Sequence, residues 1–143
     1  VALIKDEAYY VGKIAAAIVK FNARVALDPS YADKWRQSSA YRYWAICVIR
    51  HNPICQCCDN PKTLHAHHIL DAANHPDIRF DIKNGATLCH ECHKYIHNAI
   101  AGGYANGCSA IELAILLGLK YHRRILRRKL DRVVKSSGYE KAA

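Results

Sequence analysis

Two Cys-x-x-Cys pairs constrain this chain more than any other feature: Cys55 with Cys58 in "CQCC", and Cys89 with Cys92 in "CHEC", with 30 residues intervening. A two-residue gap lets both thiolates of a pair reach one ion. Two such pairs complete a tetrahedral, all-thiolate zinc site, closed and structural in kind. Zinc there acts as a staple, because its binding free energy is coupled to folding. Cys57 sits inside the first pair and is left out, since the spacing serves its neighbours. Cys47 and Cys108 have no partner in sequence and are expected in the core. The odd total of seven cysteines argues against a disulfide framework. From 54 to 98 the chain has short segments, abundant Cys and His, and turn signals at "DNP" and "NG".

The same region holds a second group of metal-binding residues. "HAHHIL" spans 65 to 70 and "NGATLCHECHKYIH" spans 84 to 97. His93 and His97 stand at i, i+4 and share one face of a helix. Two imidazoles so placed can grip one cation, and a third from "HAHHIL" makes a three-ligand site with open positions, as catalytic metal sites require. Side chains alternate along a strand, so His67 and His68 point to opposite sides, one to metal and the other to substrate. His65 shares the side of His67 and is a candidate ligand or phosphate contact. His51, His75, His90 and His122 stand alone and are expected to be ordinary surface or core residues.

The flanks are expected to be helical. Residues 7–27 carry apolar positions at helical spacing and stop at "DPS"; a second run covers about 33–51, with Trp35, Tyr41, Trp44, Val48 and Ile49 as its packing face. Ser109 can cap a helix reaching Gly118, and a last helix covers about 120–135 with Leu126, Leu130 and Val133 on one stripe. That last helix concentrates Lys120, Arg123, Arg124, Arg127, Arg128, Lys129, Arg132 and Lys135 against the single acid Asp131. Such a charge stripe neutralises phosphates with little regard to sequence, although a solvated face has the same composition. "IELAILLGLKYHRRI" has the look of a helix-turn-helix, with Ile125 about one position late. Lys34, Arg36, Arg42 and Arg50 in the second helical run are weaker candidates for phosphate contacts.

At 143 residues one domain with appendages is expected, and 21 Lys plus Arg against 12 Asp plus Glu give a net charge of +9, favouring a polyanionic partner. No apolar run approaches the roughly 20 residues of a membrane helix. "VALIKDEAYY" carries acids where a signal peptide has basic charge. The expected setting is therefore cytoplasmic, with no membrane partner.

Taken together, "CQCC … HAHHIL … NGATLCHECHKYIH" resembles the HNH endonuclease family, of ββα-metal fold. The histidine and asparagine spacing is similar to that of DNase colicins, and the four-cysteine staple is similar to that of many phage and restriction-type members. The resemblance covers about residues 44–98. It implies an α+β fold, with a small ββα-metal core and structural zinc at 54–98, an N-terminal helical region at 1–53 and a basic helical extension at 99–143. It implies further that His68 is the general base and that Asn84 braces the loop and orients it. His67, His93 and His97 would hold one catalytic divalent metal, His97 being the ligand that many members lack. The implied activity is hydrolysis of DNA, in duplex form, to 5′-phosphate and 3′-hydroxyl ends, in a bacterial or phage-infected host cell. Imidazole ligands suit Zn, Ni, Mn or Co better than Mg. The rival reading is a non-catalytic zinc-stapled DNA-binding module, which needs the cysteines but not the histidines; a detached toxin-like nuclease domain is a third. RNA shares the phosphodiester chemistry.

Overall fold

The computed structural model describes residues 7–103, 112–115, 128 and 131–135. Helix α1 (Glu7–Leu27) takes the expected span and buries Tyr10, Ile14, Ala17 and Phe21, a stripe at helical spacing. It stops where Asp28 precedes Pro29. The Asp28 side chain accepts from the Ser30 amide at 3.1 Å and so starts a 3₁₀ segment, Pro29–Gln37.

The single helix expected over about 33–51 is divided. Ser38 breaks it: its hydroxyl donates to the Trp35 carbonyl at 2.6 Å and accepts from the Tyr41 amide at 3.2 Å. It thereby closes the 3₁₀ segment and caps a fresh helix, α2 (Ser39–His51). The break matters for the site, because it puts Trp35 and Trp44 on different elements while leaving both buried.

Strands β1 (Leu64–His68) and β2 (Gly85–Cys89) form an antiparallel pair, with His67 opposite Ala86 and His68 opposite Gly85. Alternation then assigns the faces. Gly85 and Thr87 face α2, where the Thr87 hydroxyl donates to the Val48 carbonyl at 3.3 Å. Ala86 and Leu88 join a second buried cluster with Ile69, Leu70, Ile96, Leu113 and Val133. Helix α3 (His90–Tyr95) follows β2 directly and loosens into a π turn, Ile96–Ile100, where the Ala101 amide reaches the Ile96 carbonyl at 2.9 Å. Gly102 and Gly103, both at positive φ, end it. The hairpin is thus flanked by α2 and α3.

The segment joining β1 to β2 is pinned at several points. Phe80 packs edge-on against Phe21 of α1 at 6.2 Å, and the Trp44 indole donates to the Asp81 carbonyl at 2.8 Å. In the C-terminal region Leu113 and Val133 are buried in the cluster of Ala86 and Leu88, while Leu126 and Leu130 of the expected stripe lie outside the described residues. The helix-turn-helix reading lies almost wholly outside the described residues. Among the described residues, no helix is long and apolar enough to cross a membrane.

The approach of β2 to α2 gives a stability prediction. A Cβ at Gly85 would run into the Val48 side chain and the Trp44 ring. Gly85→Ala should lower the unfolding free energy by about 1–3 kcal/mol, the usual cost of overpacking, read as a reduced denaturant midpoint at unchanged slope.

Candidate functional site

The first centre lies where the two cysteine knuckles meet. The Sγ atoms of Cys55, Cys58, Cys89 and Cys92 all lie within 4.8 Å of one another. Within each knuckle an amide points at sulfur, Cys58 N–H to Cys55 at 3.4 Å and Cys92 N–H to Cys89 at 3.5 Å. Asp59, at φ 66°, makes the turn after the first pair. The Gln56 amide donates to the Thr87 carbonyl at 2.9 Å and the Thr87 amide to the Gln56 side chain at 2.8 Å, which ties that knuckle to β2. The 3.6 Å between the sulfurs of Cys58 and Cys89 is close to the ~3.8 Å edge of a tetrahedron with ~2.3 Å metal–sulfur bonds. The donor set therefore fits zinc. Burial pushes the Cys58 and Cys92 thiols up, with neighbouring thiols adding to it. At Cys89 burial also raises the thiol, but the Cys92 amide and adjacent thiols outweigh it and leave it lowered. Cys57 is buried outside this foursome, and Cys47 is a core residue packed with α1 and α2.

The second centre lies between β1 and α3 with the π turn that continues it. One ring nitrogen each from His67, His93 and His97 falls within 4.8 Å of the others. The Nε2 atoms of His93 and His97 are 3.1 Å apart, between the ~2.9 Å and ~3.3 Å that metal–nitrogen bonds of ~2.0–2.1 Å give at octahedral and tetrahedral angles. His67 is buried, and burial followed by the other imidazoles holds it well below the usual histidine range. Burial likewise pushes His93 down to about 4 and lowers His97. Neutral imidazoles are the ligating form, so these three are ready to bind a cation.

His68, the next residue, leaves β1 on the opposite face. Its ring stacks on Trp44 at 4.0 Å between centroids and 9° between planes, and Trp35 meets it edge-on at 5.5 Å. Its Nε2 lies 2.8 Å from the Arg79 carbonyl. A carbonyl only accepts, so Nε2 carries the proton and Nδ1 keeps the lone pair. Burial is the main cause that lowers His68 to about 4, so the ring is neutral at pH 7.

Asn84 is buried and clamps the loop that supplies this carbonyl. Its Oδ1 accepts from the Leu70 amide at 2.8 Å and its Nδ2 donates to the Leu70 carbonyl at 3.0 Å, a paired contact equivalent to a strand pairing. A longer contact of 3.5 Å runs from Nδ2 to the Ile78 carbonyl. The Asn84 carbonyl also receives the Ile69 amide at 3.0 Å. Both ends of the 69–84 segment are thereby held, and Arg79 with them.

The remaining candidates separate clearly. His65 stacks on His93 at 5.2 Å and 17°, packing on a member of the triad without joining it. Its Nε2 is buried without a hydrogen-bond partner. His51 and His75 face Glu7 and Asp71, at 3.6 Å and 3.5 Å, and His90 is exposed. Arg128 and Arg132 are exposed, whereas Lys120, Arg123, Arg124 and Arg127 lie outside the described residues. Sequence reasoning missed Arg79 and the aromatic setting of His68; Trp35 and Trp44 read only as packing residues.

Two outcomes follow. About one zinc should survive dialysis, because its affinity is part of the folding free energy; elemental analysis after Cys92→Ser should show that zinc lost together with cooperative folding. In a histidine NMR titration His68 should stay neutral until about pH 4. With the folded value below the unfolded ~6.5, stability contributed by this neutral ring is complete above pH 6.5 and is lost as pH falls towards 4. A midpoint near 6.5 would show that the ring does not sit against Trp44.

No protein-family model matches the chain, and no curated protein or solved structure matches it either. The structure gives a small, helix-rich α+β core with a two-stranded antiparallel sheet, four close cysteines and a histidine cluster, both able to hold a metal ion such as zinc, and it is compatible with an HNH-like fold.

Proposed function

We propose that this chain is a metal-dependent endonuclease of the HNH type that hydrolyses DNA phosphodiester bonds, leaving 5′-phosphate and 3′-hydroxyl ends. The observation that carries the reading is the pairing of two neighbouring residues. His67 belongs to a three-imidazole cluster, while His68 presents a neutral ring whose tautomer is fixed by the Arg79 carbonyl. A closed structural centre has no use for that combination.

In this reading His68 is the general base. Its Nδ1 accepts the proton of the attacking water, and Nε2–H stays on the Arg79 carbonyl, which stabilises the imidazolium as it forms. Asn84 acts as a positioning residue through the Leu70 backbone. His67, His93 and His97 would hold a divalent cation that supplies Lewis-acid polarisation of the phosphate and stabilisation of the leaving oxygen. Zn, Ni, Mn and Co suit three imidazoles better than Mg does. The four cysteines hold a separate, structural zinc. The exposed Arg128 and Arg132 support a role for the C-terminal segment in contacting duplex phosphates.

One observation favours the rival reading of a zinc-stapled DNA-binding module without catalysis: the His68 ring is stacked on Trp44 and largely covered, as a packing residue would be. Cleavage of supercoiled plasmid across Zn, Ni, Mn, Co and Mg separates the two. His68→Ala should cut at least about a hundredfold more slowly than the intact chain, the lower end of what a general base supplies. Equal rates would remove His68 from the chemistry, and no cutting by the intact chain with any metal would leave the binding module.

A further inference from the structure

Two guanidiniums share one indole beside His68. Arg36 lies over the Trp35 ring at 4.6 Å and Arg79 at 5.7 Å, and that ring touches His68 edge-on at 5.5 Å. Trp35 is buried and therefore a fixed platform, whereas Arg36 is exposed and Arg79 half-buried. Arg79 is held further by Phe21 and Phe80, at 5.7 Å and 5.5 Å.

Among the described residues, neither guanidinium has a carboxylate partner. The Asp71 carboxylate faces His75 at 3.5 Å and is further occupied by Asn74 at 2.7 Å. The Nε of Arg79 is buried with no hydrogen-bond partner. Ring faces attract a guanidinium but leave its charge and its donors unanswered.

We propose that Arg36 and Arg79, held together on Trp35 beside His68, form an anion subsite that receives a phosphate of the nucleic-acid backbone. Their planar forks suit bidentate contact with phosphate oxygens, a geometry lysine does not reproduce. The inference rests on the nuclease reading for its consequence in cutting, but not for binding.

The test is fluorescence anisotropy of a labelled DNA duplex with the full, zinc-replete chain, titrated with salt and without added divalent cation. An RNA duplex of equal length shows which polymer supplies the phosphate. Arg36→Gln and Arg79→Gln should each weaken binding roughly five- to tenfold near 0.1 M salt and lower the slope of log K against log salt by about one, as loss of one phosphate contact requires. Arg36→Lys and Arg79→Lys should keep most of the slope. All these variants retain the Arg79 carbonyl under His68, and Arg36 is exposed, so its variants test the subsite even if Arg79→Gln folds poorly. Unchanged slopes in both Gln variants of a chain that binds and cuts would overturn the subsite alone. Arginine-dependent binding by a chain that cuts with no metal would overturn the nuclease reading and leave the subsite standing. No binding by the intact chain would overturn the subsite outright.

Discussion

Neighbouring side chains of an extended strand cannot face the same way, and in β1 that constraint separates His67 from His68. One residue of register decides everything around them. With His67 opposite Ala86 and His68 opposite Gly85, the first ring meets His93 of α3 and His97 of the π turn that follows, while the second lies on Trp44 of α2. A slip by one position would exchange the two faces, setting the ring that belongs to the cluster against the indole. Gly85 protects the register as well as the packing, since only a residue without a Cβ fits between the strand and Val48.

The hairpin alone is too small to hold such a register, because an isolated two-stranded pair is marginal in water. It is held from three sides. Cys89 ends β2 and also caps α3, so the second knuckle is continuous with both, and the first knuckle is tied to Thr87 through Gln56. Asn84 closes the connecting segment on Leu70. Trp44 contributes twice, as the surface under His68 and as the donor to Asp81, so one side chain fixes both the ring and the loop whose carbonyl orients it.

Both clusters are legible in the sequence because their information is local. A Cys-x-x-Cys knuckle and an i, i+4 histidine pair specify their own geometry within one or two turns of chain, and alternation along "HAHH" needs only the neighbouring residue. The span of α1 is legible for the same reason, from "DPS". Other features depend on contacts between distant segments. Periodicity runs through Ser38 without a fault; the break comes from a hydroxyl that serves Trp35 and Tyr41 at once. Nothing in the pattern tells that Trp44 covers His68, 24 positions on by the numbering, or that Arg79 offers its carbonyl to one ring and its guanidinium to three others. Aromatic residues at helical spacing read as core, which Trp35 and Trp44 also are.

The two centres differ in how protons compete with metal. At His67, His93 and His97 burial favours the neutral ring, so a cation arriving near pH 7 displaces no proton. The desolvation that would oppose a charged imidazole has already been met by folding. At the cysteines burial favours the thiol at Cys58 and Cys92, and ligation of a metal would have to expel those protons, which would couple its capture to pH and to the closing of the knuckles. A staple set during folding is consistent with the second behaviour. A site that would exchange its cation in the finished protein is better served by the first, and of the two clusters among the described residues the histidines combine neutral rings with too few protein ligands to enclose an ion.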